Sequence, residues 1–567
     1  MKKSLYYVLA LFFLLFLTAC NSGSSENSSV SADSVLDENL SDGNISFANA
    51  IVHNPSFTSD HFSGSQKCAQ CHDGISDSTG KDVSIVKAWE SSMMANSSID
   101  PLWRAKVASE IKRNPEYKEE IEKKCSRCHT PMATVEAGFL NEKVSLFQDG
   151  FFSPQNHYYD AAMNGVSCTL CHQIENDSSL GTKDGFSGSF IIAENLSSAR
   201  KAYGPYTSPK TGPMQNIVEF TPQYSSHMNE SKVCSTCHNL DTPVINTQGE
   251  LSGLTFAEQS VYTEWEYSDF NTTQSCQDCH MPKTQGSVKI STQGGNLVQR
   301  SPFYQHQFLG ANTYMLEIIK NNRKTLGAIA DTASFDNAIT SSRDFLLASA
   351  DVNITDINFE NGRLDFSVTL KNHSGHKFPT SYPSRRAWLH IKVFNSSNQV
   401  VFESGAMNSN GEIIGVDDSS GNQFEPHYLS ITDSAQVQVY ETVMADTDNN
   451  LTYTLMHASK YLKDNRILPN GFDKDTVPNS VKPYGEAAND NDFSGGSDTT
   501  LYKVEGLTSG SYSITATLNY QTMSHGFAKD LFKDTDLSEV ALMKLLDKNT
   551  NNKYETISSY ARSITIP

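Results

Sequence analysis

Ten of the eleven cysteines in this 567-residue chain fall in five copies of one pattern, C-x-x-C-H. We number these copies motifs 1 to 5 in chain order. They comprise Cys68, Cys71 and His72; Cys125, Cys128 and His129; Cys168, Cys171 and His172; Cys234, Cys237 and His238; and Cys276, Cys279 and His280. The pattern is the attachment signature of c-type haem. Its two cysteines reach the two vinyl groups of one haem, and the histidine that follows them ligates the iron.

Other uses of paired cysteines explain the five motifs less well. A zinc site made of two C-x-x-C pairs needs no histidine directly after each pair. A thioredoxin-like redox motif explains the cysteines but not the histidines, and a disulfide framework has no use for those histidines either. The sequence therefore predicts five covalently bound haem c groups.

The remaining cysteine, Cys20, ends an apolar N-terminal segment. Lys2 and Lys3 precede an apolar run from 5 to 17, which is typical of a secretory signal peptide and short for a spanning helix. Residues 17–20 resemble a bacterial lipobox, so we expect a lipoprotein signal peptide over 1–19 and a lipid anchor on Cys20. Ordinary cleavage after Ala19, or an uncleaved anchor, stays open. Because haem attachment also takes place outside the cytoplasm, we expect an outer-membrane lipoprotein, on the periplasmic face or at the cell surface.

The character of the sequence changes twice after the signal peptide. Residues 20–60 are rich in Ser, Asn, Asp and Gly and predict a flexible tether. Residues 61–344 hold all five motifs and predict a mostly helical or irregular pentahaem domain. Residues 345–567 alternate apolar and polar residues between turns, which predicts an antiparallel β-sandwich of immunoglobulin- or fibronectin-like type, with one short amphipathic helix over 536–549. The expected fold class is α+β in two domains.

The formal net charge of −20 restricts the class of partner. So acidic a chain is unsuited to binding nucleic acid or an anionic membrane surface. Basic redox proteins or cations suit it better.

The ligand on the second side of each predicted iron decides the function. A strong sixth ligand gives an electron carrier, whereas an open side allows a substrate to bind. Candidates near the motifs are His227 and His306, with His61, His157 and Met214 as weaker ones. We expect no iron ligand from His53, in the tether, or from His390, His457 and His525, in the β-rich part.

The first motif lies in a recognisable context. GSQKCAQCH followed by AWESSMMA resembles multihaem cytochromes related to the tetrahaem cytochrome of the ammonia-oxidation pathway. That family has the pattern W-x-x-S-x-H-A, whose histidine is a distal haem ligand. Here Met94 stands at the matching position beside Met93, and methionine is a recognised axial ligand. The resemblance implies Met94 as a distal ligand, with packing of both methionines against a haem as the alternative.

Roughly residues 61–480 also resemble a broader group of secreted multihaem cytochromes. The shared segments include KCSRCHTPMA, GVSCTLCHQI and NHSGHKFPTSYPSRRAW. This resemblance implies electron transfer at or near the cell surface. The run from Gly375 to Pro379 resembles the family's G-H-x-F/L-P loop, which implies His376 as a distal ligand and His373 as a lesser candidate. Lys377, Arg385 and Arg386 would then pair with haem propionates, with a loop at a sheet edge that carries surface charges as the alternative.

We therefore expect an electron carrier that relays electrons to redox partners, such as another multihaem cytochrome, a porin-embedded protein or an extracellular acceptor. The alternative is an enzyme, a multihaem reductase or oxidase of a small nitrogen or sulfur species at a five-coordinate haem. A third hypothesis makes the β-rich part a binding module. Its acidic turns, Asp417-Asp418 and Asp490, Asp492 and Asp498, are either a Ca²⁺ site or simply solvated.

Overall fold

The computed structural model describes residues 50–194, 200–417 and 423–566. The predicted signal peptide, Cys20, the tether up to residue 49 and Asp418 lie outside these residues. Helices predominate up to Leu347, and strands predominate from Ala350 onwards, which confirms an α+β fold. Within the described ranges, no helix is both long enough and apolar enough to cross a membrane.

The helices and strands are numbered in chain order. The helices are α1 (Ser65–His72), α2 (Ile85–Glu90), α3 (Pro101–Arg113), α4 (Lys118–His129), α5 (Pro131–Phe139), α6 (Tyr159–Met163), α7 (Cys168–Cys171), α8 (Gly212–Val218), α9 (Lys232–His238), α10 (Val261–Glu266), α11 (Cys276–His280), α12 (Thr313–Asn321), α13 (Arg323–Leu326), α14 (Thr332–Leu347), α15 (His525–Leu531) and α16 (Ser538–Lys548). The strands are β1 (Arg200–Gly204), β2 (Phe220–Tyr224), β3 (Asn239–Ile245), β4 (Leu251–Ser260), β5 (Ala350–Glu360), β6 (Arg363–Asn372), β7 (Arg386–Asn395), β8 (Val400–Ser404), β9 (Ser430–Ile431), β10 (Val439–Ala445), β11 (Lys460–Asp464), β12 (Ser497–Val504), β13 (Gly510–Gln521) and β14 (Glu555–Ile566).

Helix α3 shows how local sequence sets these elements. The Asp100 carboxylate caps the helix by accepting hydrogen bonds from the backbone N–H groups of Leu102 and Trp103. Pro101 occupies the first helical position, where its missing N–H costs nothing. Lys112 and Arg113 stand in the last turn, where positive charge is favourable. Arg113 is therefore the last residue of the helix.

Two larger sheets lie in the C-terminal part of the chain. One has the strand order β11-β10-β7-β13-β14, with β8 also paired to β7, and the other has the order β5-β6-β12-β9. The pairs are antiparallel except for the two-residue parallel contact of β9 with β12. Inward side chains from both sheets, such as Phe366, Leu389 and Leu518, form one apolar core. Two smaller sheets, parallel β1-β2 and antiparallel β3-β4, lie among the haem motifs.

The stretch LTYTLMH, which alternates like a strand, forms a 3-10 turn over Leu455–His457 instead. The backbone N–H groups of Leu455 and Met456 donate to the Glu110 carboxylate of α3, at 2.6 and 3.3 Å. This long-range contact overrides the local pattern. The strand expected here forms just downstream as β11.

The two halves of the sequence share one apolar core. The cluster that surrounds the motifs contains Met132 and Met315 from the first half together with Met456, Phe527 and Met543 from the second. Helices α15 and α16 lie against α3, so the tail of the chain returns to the half that carries the C-x-x-C-H motifs. The predicted boundary at residue 345 therefore marks a change in secondary structure but not a break in packing.

The end of the expected tether is also packed. His53 is buried, and its Nε2 lies 3.1 Å from the side-chain nitrogen of Asn164. Burial lowers the pKa of His53 to about 4. The expectation that residues up to 60 are free is wrong for His53 and for the buried Phe57.

Candidate haem sites

Each motif lies on a short helix or at the end of one. Motifs 1, 2, 3, 4 and 5 are carried by α1, α4, α7, α9 and α11. In a helix, residues three and four positions apart lie on one face. The two cysteines and the histidine of each motif are therefore close together, as attachment to a single haem requires.

All fifteen motif residues line one continuous cavity of about 980 Å³. None of the ten motif cysteines forms a disulfide. The cavity wall is mostly apolar, with Trp89, Phe303 and Leu316 among its side chains. A cavity that joins five pairs of thiols and five imidazoles has the donor set for covalent haem, so the residues fit this cofactor.

Four of the five motif histidines are oriented by a backbone carbonyl that pairs with ring nitrogen Nδ1. The pairs are His72 with Ile290 at 2.7 Å, His129 with Ser97 at 3.2 Å, His172 with Tyr203 at 2.5 Å and His280 with Leu309 at 2.5 Å. Because Nδ1 donates to the carbonyl, Nε2 carries the lone pair that can bind iron. Burial lowers the pKa of His129 and of His280 to about 4, which keeps both rings neutral as iron ligation requires.

Two histidines outside the motifs face motif histidines across the cavity. The ring centres of His306 and His172 lie 6.3 Å apart, with 21° between the ring planes. The corresponding values for His376 and His280 are 6.2 Å and 18°. A metal ion about 2 Å from one nitrogen of each of two facing rings puts the ring centres about 6 Å apart. Both spacings therefore fit one iron between two imidazoles.

The added histidines of both pairs are oriented in the same way as the motif histidines. Nδ1 of His306 lies 3.2 Å from the carbonyl of Tyr304, and Nδ1 of His376 lies 2.9 Å from the carbonyl of Lys377. Each ring therefore keeps Nε2 as its free nitrogen. His376 belongs to the loop between β6 and β7, which we call loop 373–385, so the β-rich part contributes to the cavity.

The structure places His227 differently from the expectation. Its side chain is fully buried, with Nδ1 2.7 Å from the Ser225 hydroxyl and Nε2 2.9 Å from the Ile174 carbonyl. Both ring nitrogens are already hydrogen-bonded, and the residue does not line the cavity. This geometry argues against His227 as an iron ligand and assigns it to the packing around motif 3.

The two weaker histidine candidates also lie off the cavity lining. His61 is buried, with Nδ1 2.8 Å from a Glu136 carboxylate oxygen and its ring stacked on Phe139. His157 is largely exposed and lies 3.4 Å from the Glu142 carboxylate. Neither residue lines the cavity, although Nε2 of His61 is buried without a hydrogen-bond partner.

The methionine candidates do line the cavity. Met94, its neighbour Met93 and Met214 all contribute to the wall. Three further methionines line it that the sequence did not single out: Met228, Met281 and Met456. Because Met281 directly follows motif 5, its position in the sequence could have predicted that it lines the cavity. Met456 comes from the β-rich part, and nothing in the sequence places it near a motif.

The positive charges of the Lys377–Arg386 stretch have different environments. Lys377 is fully buried against Asp464 at 2.7 Å, and Arg386 is buried against Asp417 at 2.6 Å. Neither lines the cavity, so the expected pairing of these two residues with haem propionates is wrong. Arg385 does line the cavity, while donating a hydrogen bond to the Thr380 carbonyl at 3.0 Å. Because Arg386 pairs with Asp417, the Asp417 carboxylate is not available as a Ca²⁺ ligand.

The second acidic cluster brings Asp490 and Asp498 together with His427, all buried in the β-rich part. Nδ1 of His427 accepts hydrogen bonds from the side-chain amides of Gln438 and Asn465, at 3.1 and 3.2 Å. Both amides are fixed, because their oxygens accept backbone N–H groups. Nε2 of His427 therefore carries the proton and donates it to Asp490 at 3.0 Å. The Asp498 carboxylate in turn accepts a hydrogen bond from the Tyr440 hydroxyl at 2.6 Å. Both carboxylates thus have protein partners, and this cluster does not support the expected Ca²⁺.

Cysteines of different motifs lie next to each other. Three pairs of thiols lie close enough for each thiol to shift the pKa of the other: Cys68 with Cys168, Cys128 with Cys237, and Cys234 with Cys276. Cys171 also lies close enough to both cysteines of motif 4 to act on them electrostatically. The motifs are thus connected in the order 1, 3, 4, with motifs 2 and 5 both adjoining motif 4.

The chain resembles known cytochromes by two comparisons. Residues 67–173, which contain motifs 1 to 3, match the family model Cytochrome c554 and c-prime. One similar solved structure is the penta-heme cytochrome c552 from Thermochromatium tepidum, at 14% sequence identity and a TM-score of 0.49, covering 89% of this chain and 100% of that chain. No curated protein matches the chain.

The motifs and the family match define the class of protein: a multihaem c-type cytochrome with covalently bound haem c. The family match supports a function in electron transfer. The prediction of the class from the C-x-x-C-H motifs is thereby confirmed.

Proposed function

We propose that the protein binds five haem c groups, one at each motif, and relays electrons through them at the outer membrane. The observation that carries this proposal is that all five motifs line one cavity and adjoin one another in a connected order. Bound haem supplies one-electron redox chemistry at its iron. The residues of the chain attach the haems, complete the iron coordination and fix their order.

The order of the motifs supports a path with one branch. Motifs 1, 3, 4 and 5 follow each other, and motif 2 joins the path at motif 4. The middle of motif 1 is open to solvent at Gln70, and the contact between Cys279 of motif 5 and Gln274 lies at the surface. The middle residues of motifs 3 and 4 are buried. We therefore assign the exchange of electrons with partners to motifs 1 and 5.

The facing rings support His306 as the sixth ligand of the motif 3 iron and His376 as that of the motif 5 iron. Met94, which lines the cavity beside Met93, is our candidate for motif 1. Met214 lines the cavity as well and is a weaker candidate. An iron with two strong axial ligands changes oxidation state without binding substrate, which suits a relay.

Attachment of Cys20 to lipid would hold this relay at the outer membrane. The acidic sequence suits basic redox proteins as partners. Other multihaem cytochromes or a porin-embedded protein are the partners we propose. A Cys20→Ser variant should lose fatty-acid labelling and membrane association while keeping its haem spectrum; retention in the membrane fraction would reject the anchor.

A second function has one observation in its favour. Around motif 2 the ionisable side chains that line the cavity include Lys124, Glu258 and Tyr382. Burial raises the pKa of Glu258 to about 7 and the pKa of Tyr382 above its usual range. Groups that can supply protons beside an iron with an open sixth position suit a reductase of small nitrogen or sulfur species.

Carbon monoxide separates the two functions. The holoprotein should contain five haems by pyridine haemochrome assay, and its fully reduced spectrum should not change when carbon monoxide is added. A change that corresponds to one haem would instead establish an open iron and favour the reductase. Fewer than five haems per chain would contradict the proposed stoichiometry.

A further inference from the structure

Four buried charged side chains lie together beside loop 373–385. They are Glu264 of α10, Lys377 of the loop, Asp464 at the end of β11, and Arg466. The exposed fraction of the side chain is 0% for Glu264, Lys377 and Asp464 and 7% for Arg466. Isolated charges are costly to bury, so such a group needs internal compensation.

The four charges compensate one another through short ion pairs. Lys377 Nζ lies 2.7 Å from Asp464, and the Arg466 guanidinium contacts both oxygens of Asp464 at 2.8 and 2.9 Å. Arg466 also lies 2.8 Å from Glu264. Two carboxylates and two cations give no net charge. The network joins the segment between motifs 4 and 5 to the β-rich part.

Glu264 also binds the loop itself. Its carboxylate accepts hydrogen bonds from the backbone N–H of Lys377 at 3.2 Å and from the Thr380 hydroxyl at 2.5 Å. On the other side of His376, Gly375 passes so close to Trp265 and Phe270 that a Cβ would lie 3.3 Å from each. The backbone is therefore held on both sides of the residue that faces His280.

The charges also act on the His376 ring. Glu264 and Arg466, together with Arg385 from the cavity wall, are close enough to His376 to influence it electrostatically. A negative charge near an iron favours the ferric state, and a positive charge favours the ferrous state. In a buried site this influence is weakly screened.

We propose that the network of Glu264, Lys377, Asp464 and Arg466 positions His376 at the motif 5 iron and balances the charge that sets its reduction potential. This inference rests on the proposed function, since it assumes that His376 binds that iron. Glu264 is a positioning residue because it acts through loop 373–385. None of the four side chains is assigned to iron binding.

The test compares two substitutions of opposite charge in the full-length holoprotein. Glu264→Gln leaves the network with a net positive charge, so the potential of one haem should rise. Arg466→Gln leaves a net negative charge, so the potential of the same haem should fall. Spectropotentiometric titration measures both. Glu555→Gln is the matched control, because Glu555 pairs with Arg343 and does not line the cavity; all potentials should stay unchanged.

Shifts of the same sign in both variants, or no shift in either, would overturn the charge-balancing role. If the charge variants do not fold, Thr380→Val removes one hydrogen bond to Glu264 and no charge; a high-spin fraction at one haem is expected in its electron paramagnetic resonance spectrum. An unchanged spectrum would overturn the positioning role.

His376→Ala separates this inference from the proposed function. If His376→Ala alters no haem, the ligand assignment itself fails. If His376→Ala alters one haem whose potential neither charge variant moves, only the network inference fails.

Discussion

At the scale of single residues, the hydrogen bonds of a histidine show which ring nitrogen is free to bind a metal ion. His306 and His376 keep Nε2 free because Nδ1 is paired with a backbone carbonyl. His227 has neither nitrogen free. All three looked comparable in the sequence, so the difference arises from contacts made only in the folded chain.

Replacing a ligand should therefore affect one haem at a time. In His306→Ala and in His376→Ala, we expect one low-spin haem to become high-spin and to bind carbon monoxide. Magnetic circular dichroism and electron paramagnetic resonance would show the change. His227→Ala is the control: its haem spectra should match the wild type, while the free energy of unfolding falls by about 1–3 kcal/mol because buried hydrogen-bonding partners are left unpaired. Spectral loss in His227→Ala would reverse the assignment.

Glu258 should make the stability depend on pH. Its pKa in the folded protein is about 7, raised from 4.5 by burial, so the folded state holds a proton that the unfolded state releases at lower pH. The free energy of unfolding should therefore fall as pH rises from about 4.5 to about 7, by up to about 3 kcal/mol relative to Glu258→Gln. Denaturant titration at several pH values measures this. Parallel curves for the two proteins would refute it.

At the scale of elements, α3 links the haem-binding half to the end of the chain. Arg113 at its C-terminus pairs with Asp530 at 2.6 Å and Asp534 at 2.8 Å. Lys112 also contacts Asp534, at 3.0 Å. These contacts hold the end of α15 and the residues just after it against α3, and they join residues more than 400 positions apart.

Removal of Arg113 should loosen this link. Arg113→Ala leaves Asp530 and Asp534 partly buried with less compensation, and we expect a loss of about 2–3 kcal/mol in the free energy of unfolding. Lys143→Ala removes an exposed pair with Glu119 and should cost less than about 1 kcal/mol. Denaturant titration of both variants gives the comparison. Equal costs would show that the α3 contact has no special role.

How far the sequence predicts each element depends on where its interactions come from. The motifs were predictable because haem attachment fixes the spacing of Cys and His locally. The helix over 536–549 and most strands followed from periodicity, and α16 (Ser538–Lys548) and β6 to β8 correspond to them. The turn at Leu455–His457 depends on a contact with Glu110, which is distant in the sequence. The rings of His306 and His172 face each other only because the folded chain brings them together. No local pattern carries that information.

At the scale of the whole molecule, the β-rich part completes the cavity. Loop 373–385 contributes His376, Tyr382 and Arg385 to its wall, and Met456 comes from the same half. The apolar core around the motifs includes side chains from both halves. The β-rich part therefore contributes to both the cavity and the apolar core that surround the motifs.

Deletion of residues 345–567 should consequently damage the haem sites. We expect the truncated protein to bind fewer than five low-spin haems, because His376 and a share of the core are missing. Haem content and low-spin signals measure the effect. A truncated protein with five unchanged low-spin haems would show that the two halves are independent.

We propose a connected relay of five haems in a cavity that the β-rich part completes. An anomalous-scattering map of iron in crystals of the holoprotein tests this directly. We expect five iron peaks, one of them between His172 and His306 and another between His280 and His376. The irons should follow the order of motifs 1, 3, 4 and 5, with the motif 2 iron beside motif 4. Fewer than five peaks, or an iron at motif 5 that His376 does not bind, would contradict it.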